Sequence, residues 1–218
     1  MATVQDVIDR AESILNDADN VRWSVPELVL WVSDAVDQLL RYIPEAGATT
    51  RVIPLTADQP RQRYQDARRI LDIFQNCDGA GNPTGNAIIL TKRGYLDSCR
   101  RNWQNDRARE VDHWVYDPEH DRKEFWVYPA PRETAYVLAT VVPEVNLTAA
   151  TQTLPVGQQW LTALLNYTLS RAYAKNADYG GNMRTASGYY NAFASDVGIQ
   201  SRLTEMSDPN TELEQASG

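Results

Sequence analysis

Two stretches of apolar residues at helical spacing bracket a middle third that is punctuated like a β region, and that order leaves few folds open. Val4, Val7, Ile8, Ala11 and Leu15 line one face behind the N-cap candidate Thr3. Ser24-Val25-Pro26-Glu27 has the capping-box pattern, and Leu28, Trp31, Val32, Ala35, Val36, Leu39, Leu40 and Ile43 continue the apolar face until Pro44 and Gly47. Beyond Gly157, Trp160, Leu161, Leu164, Leu165, Thr168, Leu169, Ala172 and Tyr173 predict a third helix over 158–176. Gly180-Gly181 should stop it, with Asn182 capping a fourth helix through Met183, Ala186, Tyr189, Tyr190, Phe193 and Val197 to a stop at Gly198.

Between these pairs, β-branched and aromatic runs alternate with Gly, Pro, Asn and Asp. Strands are expected at 50–55, 69–75, 87–91, 108–116, 124–128 and 134–142, with a turn-rich loop at 77–85 and a helical turn near 92–101. The expected class is α+β: a four-helix bundle from residues 1–47 and 153–200, an antiparallel β-sandwich or barrel-like domain inserted at 48–152, and an extended C-terminal tail at 201–218. A helix–helix connection tolerates such an insertion because loop-closure entropy grows slowly with length. The tail is polar and acidic, with Leu203, Met206 and Leu213 as isolated apolar residues, too few to offset its ordering entropy alone.

With 43% hydrophobic residues over 218 positions, the core should need no metal or disulfide. Cys77 and Cys99 lack zinc-ligand spacing and are expected as free thiols. The N-terminus has no basic region followed by an apolar run, and no stretch approaches the roughly 20 apolar residues of a membrane span. These features point to synthesis in a reducing cytoplasm and to no membrane partner. The net charge of −8 disfavours phosphate gripping. It is uneven, however: residues 60–109 carry ten basic and five acidic side chains between two acidic flanks.

No catalytic, cofactor-binding or metal-binding residue is expected, and the chain does not read as an enzyme. His113 follows Asp112 on a predicted strand, so the two point to opposite faces and cannot form an orienting pair. His120 in Asp117-Pro118-Glu119-His120-Asp121 is explained by turn chemistry. The glycine-rich 79–85 run leads into a strand, whereas a phosphate cradle requires a helix N-terminus. Trp114, Tyr116, Phe125, Trp126 and Tyr128 fit either the core of a β domain or a platform that stacks sugars or bases. The first reading is preferred, and burial of the rings discriminates between them. The cluster Arg61, Arg63, Arg68 and Arg69 suits a protein partner better than nucleic acid.

Several motifs together resemble phage adaptor proteins. They are Thr3 to Ala11, Leu15-Asn16-Asp17, Arg22-Trp23-Ser24 before Glu27-Leu28 and Trp31-Val32, Ile70-Leu71-Asp72-Ile73 with Asn76, and Asp117-Pro118 with Phe125 to Pro131. The resemblance runs to about Gly198 and points to the adaptors of short-tailed phages called tail tubular protein A. It implies a virion protein at the head–tail junction: a ring of identical subunits, a dodecamer, between the portal protein and a tail nozzle or next tail ring. Genomic DNA would pass through its lumen during DNA ejection without sequence-specific binding. On this reading Arg61, Arg63, Arg68 and Arg69 form a subunit–subunit contact, and Leu203, Met206 and Leu213 anchor a portal-docking tail. The alternatives are another phage neck or tail ring protein, or a carbohydrate- or nucleic-acid-binding β module.

Overall fold

The computed structural model describes residues 2–17, 19–175 and 180–207. Its helices are α1 (Val4–Leu15), α2 (Val25–Tyr42), α3 (Arg93–Cys99), α4 (Leu161–Lys175) and α5 (Gly180–Ser207). Its strands are β1 (Thr49–Leu55), β2 (Arg61–Arg63), β3 (Ala67–Cys77), β4 (Pro83–Ala87), β5 (Ile89–Leu90), β6 (Arg107–Ala108), β7 (His113–Tyr116), β8 (Glu124–Tyr128), β9 (Ala130–Pro131) and β10 (Ala135–Pro143). The class is α+β, and the chain separates into two units, Met1–Gly47 with Val145–Gly218, and Ala48–Glu144.

In the helical unit, both expected caps form. Thr3 N–H donates to the Asp6 carboxylate at 2.7 Å and Asp6 N–H to the Thr3 hydroxyl at 3.4 Å. The Ser24 hydroxyl and amide both donate to Glu27, at 3.1 and 3.4 Å. The first amides of α1 would otherwise lack partners. Val4 and Gln5 instead donate to the carbonyls of Gln152 and Ala150, both at 2.9 Å, so the returning chain closes the start of the first helix.

Helix α4 packs against α1, α2 and α5. Accordingly Leu161, Leu164, Thr168, Leu169 and Ala172 are buried, as is Trp31 of α2. Two expectations need correction here. Leu165 is only half-buried, while Tyr167 and Ser170 take buried positions. Gly180 and Gly181 are the first residues of α5 rather than a stop, and α5 passes through Gly198 to Ser207. A glycine inside a helix costs only about 1 kcal/mol relative to alanine, which the contacts of Ala186, Phe193 and Val197 on the buried face can offset. Leu203 and Met206 therefore lie on helical backbone rather than in an extended tail; Leu213 is outside the described residues.

In the β unit, one sheet has the order β1-β10-β3-β4, a second β2-β8-β7-β5, and a two-stranded piece pairs β6 with β9. The pairings are antiparallel except β5–β7 and β6–β9. Residues from both four-stranded sheets share one core: Ile53, Ile70, Ile73 and Val137 from the first, Trp114, Phe125 and Val127 from the second. The expected strand at 108–116 is broken, since 109–112 cross between β6 and β7. Four of the nine residues of the expected 77–85 loop are strand: β3 reaches Cys77 and β4 begins at Pro83. The turn between them depends on Asp78, whose carboxylate accepts from the amides of Ala80 and Asn82, both at 2.9 Å, and on Gly81 at φ +87°.

Two buried amides tie the β unit's connections to its sheets. The Asn76 side chain donates to the carbonyls of Asn86 and Val111, both at 2.8 Å, and accepts from Val111 N–H at 3.0 Å. Gln62 accepts from Thr56 N–H at 2.8 Å and donates to the Thr56 and Gln59 carbonyls. A buried polar side chain is tolerated only when its hydrogen bonds are made, and these two meet that condition.

Candidate interaction surfaces

The N-terminal motif Asn16-Asp17 with Arg22-Trp23-Ser24 is a structural clamp. Asn16 ends α1 in the left-handed conformation at φ 54°. The Asp17 carboxylate then accepts from three successive amides, Val21 at 3.1 Å and Arg22 and Trp23 at 3.0 Å each. Those bonds, Trp23 first, hold its pKa below the usual carboxylate value. The Trp23 indole donates to the Ala172 carbonyl at 3.1 Å, supplying a partner for the last turn of α4, and the Arg22 guanidinium lies 5.1 Å over the Trp23 ring. Lys175 Nζ at the end of α4 meets Glu27 at 2.6 Å, and that bond, then those from Ser24, lowers the Glu27 pKa. One side chain in this loop does not join the clamp: Val21 is 86% exposed.

The aromatic residues of the β unit divide between the two faces of the second sheet. Trp114 is opposite Val127 and Tyr116 opposite Phe125, placing all four toward the shared core. Trp126 and Tyr128 lie on the other face, in a smaller cluster with Trp103, Leu96 and Val115. Trp103 meets both rings edge-on, at 5.9 and 6.1 Å, and anchors its indole N–H on Asp97 at 2.8 Å. Trp114 and Phe125 are each 1% exposed, and Trp126 lies against Trp103 and under the Arg93 guanidinium at 5.2 Å.

Beside this cluster the outer face opens into a cleft of about 1070 Å³. It is lined by Val115 and Trp126 of this face together with Leu90, Lys92, Tyr95 and Asp117. Leu90 is 58% exposed and Tyr95 59%, and with the adjacent Ile89 they are the exposed large hydrophobic side chains found among the described residues of the β unit.

Arg61 and Arg63 alternate on β2 and are both exposed, but each already has an internal partner: Glu124 at 2.5 Å for Arg61, and Asp121 for Arg63. Arg61 also lines the cleft. Arg68 and Arg69 sit half-buried on β3, in the other sheet. Folding redistributes the charge inferred from linear blocks. The β unit carries fourteen basic and fourteen acidic residues, and the helical unit carries seven and fifteen, so the whole −8 belongs to the helical unit.

His113 lies against Tyr128 with ring centres 6.1 Å apart. His120 is exposed in a turn whose amides return to the Asp117 carbonyl. Cys77 is buried and Cys99 exposed, both unpaired. Among the described residues no group of three or more His, Cys, Asp or Glu could hold a metal, and no helix is long and apolar enough to cross a membrane. Sequence reasoning passed over Leu90, Tyr95 and Val21. The signal was there for the first, because a continuous Ile88-Ile89-Leu90 run on an alternating strand must turn some side chain outward.

The sequence model of the SU10 adaptor protein family matches residues 2–213, nearly the whole chain and both units. The chain belongs to the SU10 adaptor protein family. It is a phage head-to-tail adaptor family, so the adaptor is a structural protein of the virion. No match is found among curated proteins. The motifs that resembled such adaptors include residues of the clamp, the Asn76 tie and the β8 strand.

Proposed function

We propose that the adaptor forms a ring of identical subunits, a dodecamer, between the portal and a tail nozzle or next tail ring, and that the genome passes through it. On this reading the four helices of the helical unit act as a bundle and the two four-stranded sheets as a sandwich. The observation that carries the proposal is the family match across both units. The charge division supports it: a neutral unit and a unit of −8 in one chain suit a head-to-tail contact, in which one surface meets a different one on the neighbour. An acidic unit also suits a conduit, because it repels phosphates and lets DNA slide.

Arg61, Arg63, Arg68 and Arg69 are proposed to face the acidic surface of a neighbouring subunit. Arg61 and Arg63 would have to share their charge with Glu124 and Asp121, so the contact should be modest and salt-sensitive. Leu203, Met206 and Leu213 are proposed as portal anchors. Electron microscopy of the purified adaptor, alone and mixed with its phage's portal ring, tests the function. Rings or stacked rings are the expected result, and a chain that stays monomeric and never binds the portal overturns it.

A further inference from the structure

Helix α5 holds two glycines that its packing does not require. A Cβ built on Gly188 or Gly198 meets nothing within 4 Å, and both backbones are helical rather than left-handed, so alanine fits either position without strain. Each glycine still weakens the helix, by roughly fivefold in the local helix equilibrium relative to alanine. What glycine supplies in exchange is backbone freedom.

The two glycines differ in what flanks them. Gly188 lies inside the stretch that α4 holds: Ala186 is buried before it, and after it Tyr189 stacks on Tyr173 with ring centres 5.7 Å apart and Phe193 meets Tyr167 at 5.2 Å. Gly198 stands where α4 runs out. Just before it, Asn166 of α4 donates to Asp196 at 3.1 Å and Val197 is buried. These pairs run antiparallel, and the same register carried on puts Leu161, the first residue of α4, opposite roughly residue 200. The backbone of α5 continues as helix to Ser207.

We propose that Gly198 is a hinge, about which the last turns of α5 swing as one helical arm against the rest of the helical unit. The inference rests on the reading of Leu203 and Met206 as portal anchors. Both lie on helical backbone beyond Gly198, so the hinge re-aims them toward the portal while α4 keeps the earlier part of α5 fixed. Sharp bends in helices occur at residues that loosen the backbone, and between Val197 and Leu203 the sequence has one glycine and no proline. Gly188 has the same freedom but contacts with α4 on both sides of it, so it cannot bend without breaking them.

The test uses the full chain with Cys99→Ser, spin-labelled at Ala174→Cys on α4 and Thr204→Cys on the arm; the buried Cys77 is left in place. Pulsed dipolar spectroscopy should give a broad distance distribution, which Gly198→Ala narrows and Gly188→Ala leaves broad. A distribution already as narrow with glycine at 198, or still as broad with alanine there, overturns the hinge. Amide hydrogen exchange separates swinging from unravelling. Amides of residues 203–207 should exchange alike in the Gly198→Ala variant and the unsubstituted chain, because the arm stays helical as it swings; a roughly fivefold slowing along the arm would mean fraying instead and also overturns it. With the portal ring added, Gly198→Ala should weaken binding on the order of fivefold, the helix preference that the bend must overcome, and Gly188→Ala should leave it unchanged. Equal binding by the Gly198→Ala variant overturns the re-aiming. An unsubstituted chain that does not bind the portal refutes the anchor reading instead, and the label distances still decide the hinge.

Discussion

Replacing Leu169 by alanine should destabilise the helical unit far more than the same change four residues earlier. Leu169 is 0% exposed on the helix that touches α1, α2 and α5 together, so removing its branched end leaves a cavity that three helices would have to close. Such truncations cost about 2–5 kcal/mol, the lost transfer energy plus the cavity. Leu165 lies one turn away on the same helix but is half-buried, and water can replace part of what is removed, so about 1 kcal/mol is expected. The helix propensity change is the same at both sites and cancels in the comparison. Urea titration followed at 222 nm reads the difference directly, provided the slope of the transition is unchanged. Equal losses at the two positions, or a larger loss at Leu165, would refute the assignment of α4 as the central helix and imply that its Leu169 face is an exposed docking surface.

Asn76→Ala should cost at least about 2 kcal/mol, because it strands the Asn86 and Val111 carbonyls and the Val111 amide inside the β unit; calorimetry of the variant checks it. Asp17 has a depressed pKa, so its contribution to stability is fully present above the unfolded value of 3.8 and is lost as pH falls through the lower folded value. Melting temperatures from pH 6 to 2.5 should therefore fall less steeply on the acid side in Asp17→Asn than in the unsubstituted chain, and parallel curves would contradict the clamp. Trp23→Phe keeps most of the ring but removes the donor to the Ala172 carbonyl, and should lower stability by about 1–2 kcal/mol in the same urea assay. Deleting residues 208–218, which follow the described residues, should leave melting unchanged and weaken portal binding in a pull-down; undiminished binding would remove the proposed role of Leu213.

The local pattern determined much of this adaptor before any tertiary contact is considered. Capping boxes at Thr3/Asp6 and Ser24/Glu27, the 3.6-residue spacing of α2, and the alternation of β8 are decided within a few residues, because the groups that satisfy one another are neighbours in the chain. The motifs that resembled the family include the Asp17 clamp and the Asn76 tie, whose hydrogen bonds the fold uses. Tertiary structure decided what depends on partners distant in sequence. Gly198 reads as a stop in isolation, yet α5, buried at Ala186, Phe193 and Val197, continues through it. Trp114 and Trp126 are both aromatic strand residues, and only the register with β8 sends one to the core and the other to the outer face. Within the +5 block of residues 60–109, Arg61 and Arg63 are compensated from outside it, because pairing across the sheet brings Glu124 and Asp121 to them. Charge counted along a chain says which signs are present; which of them remain uncompensated is settled by the strands that fold beside them.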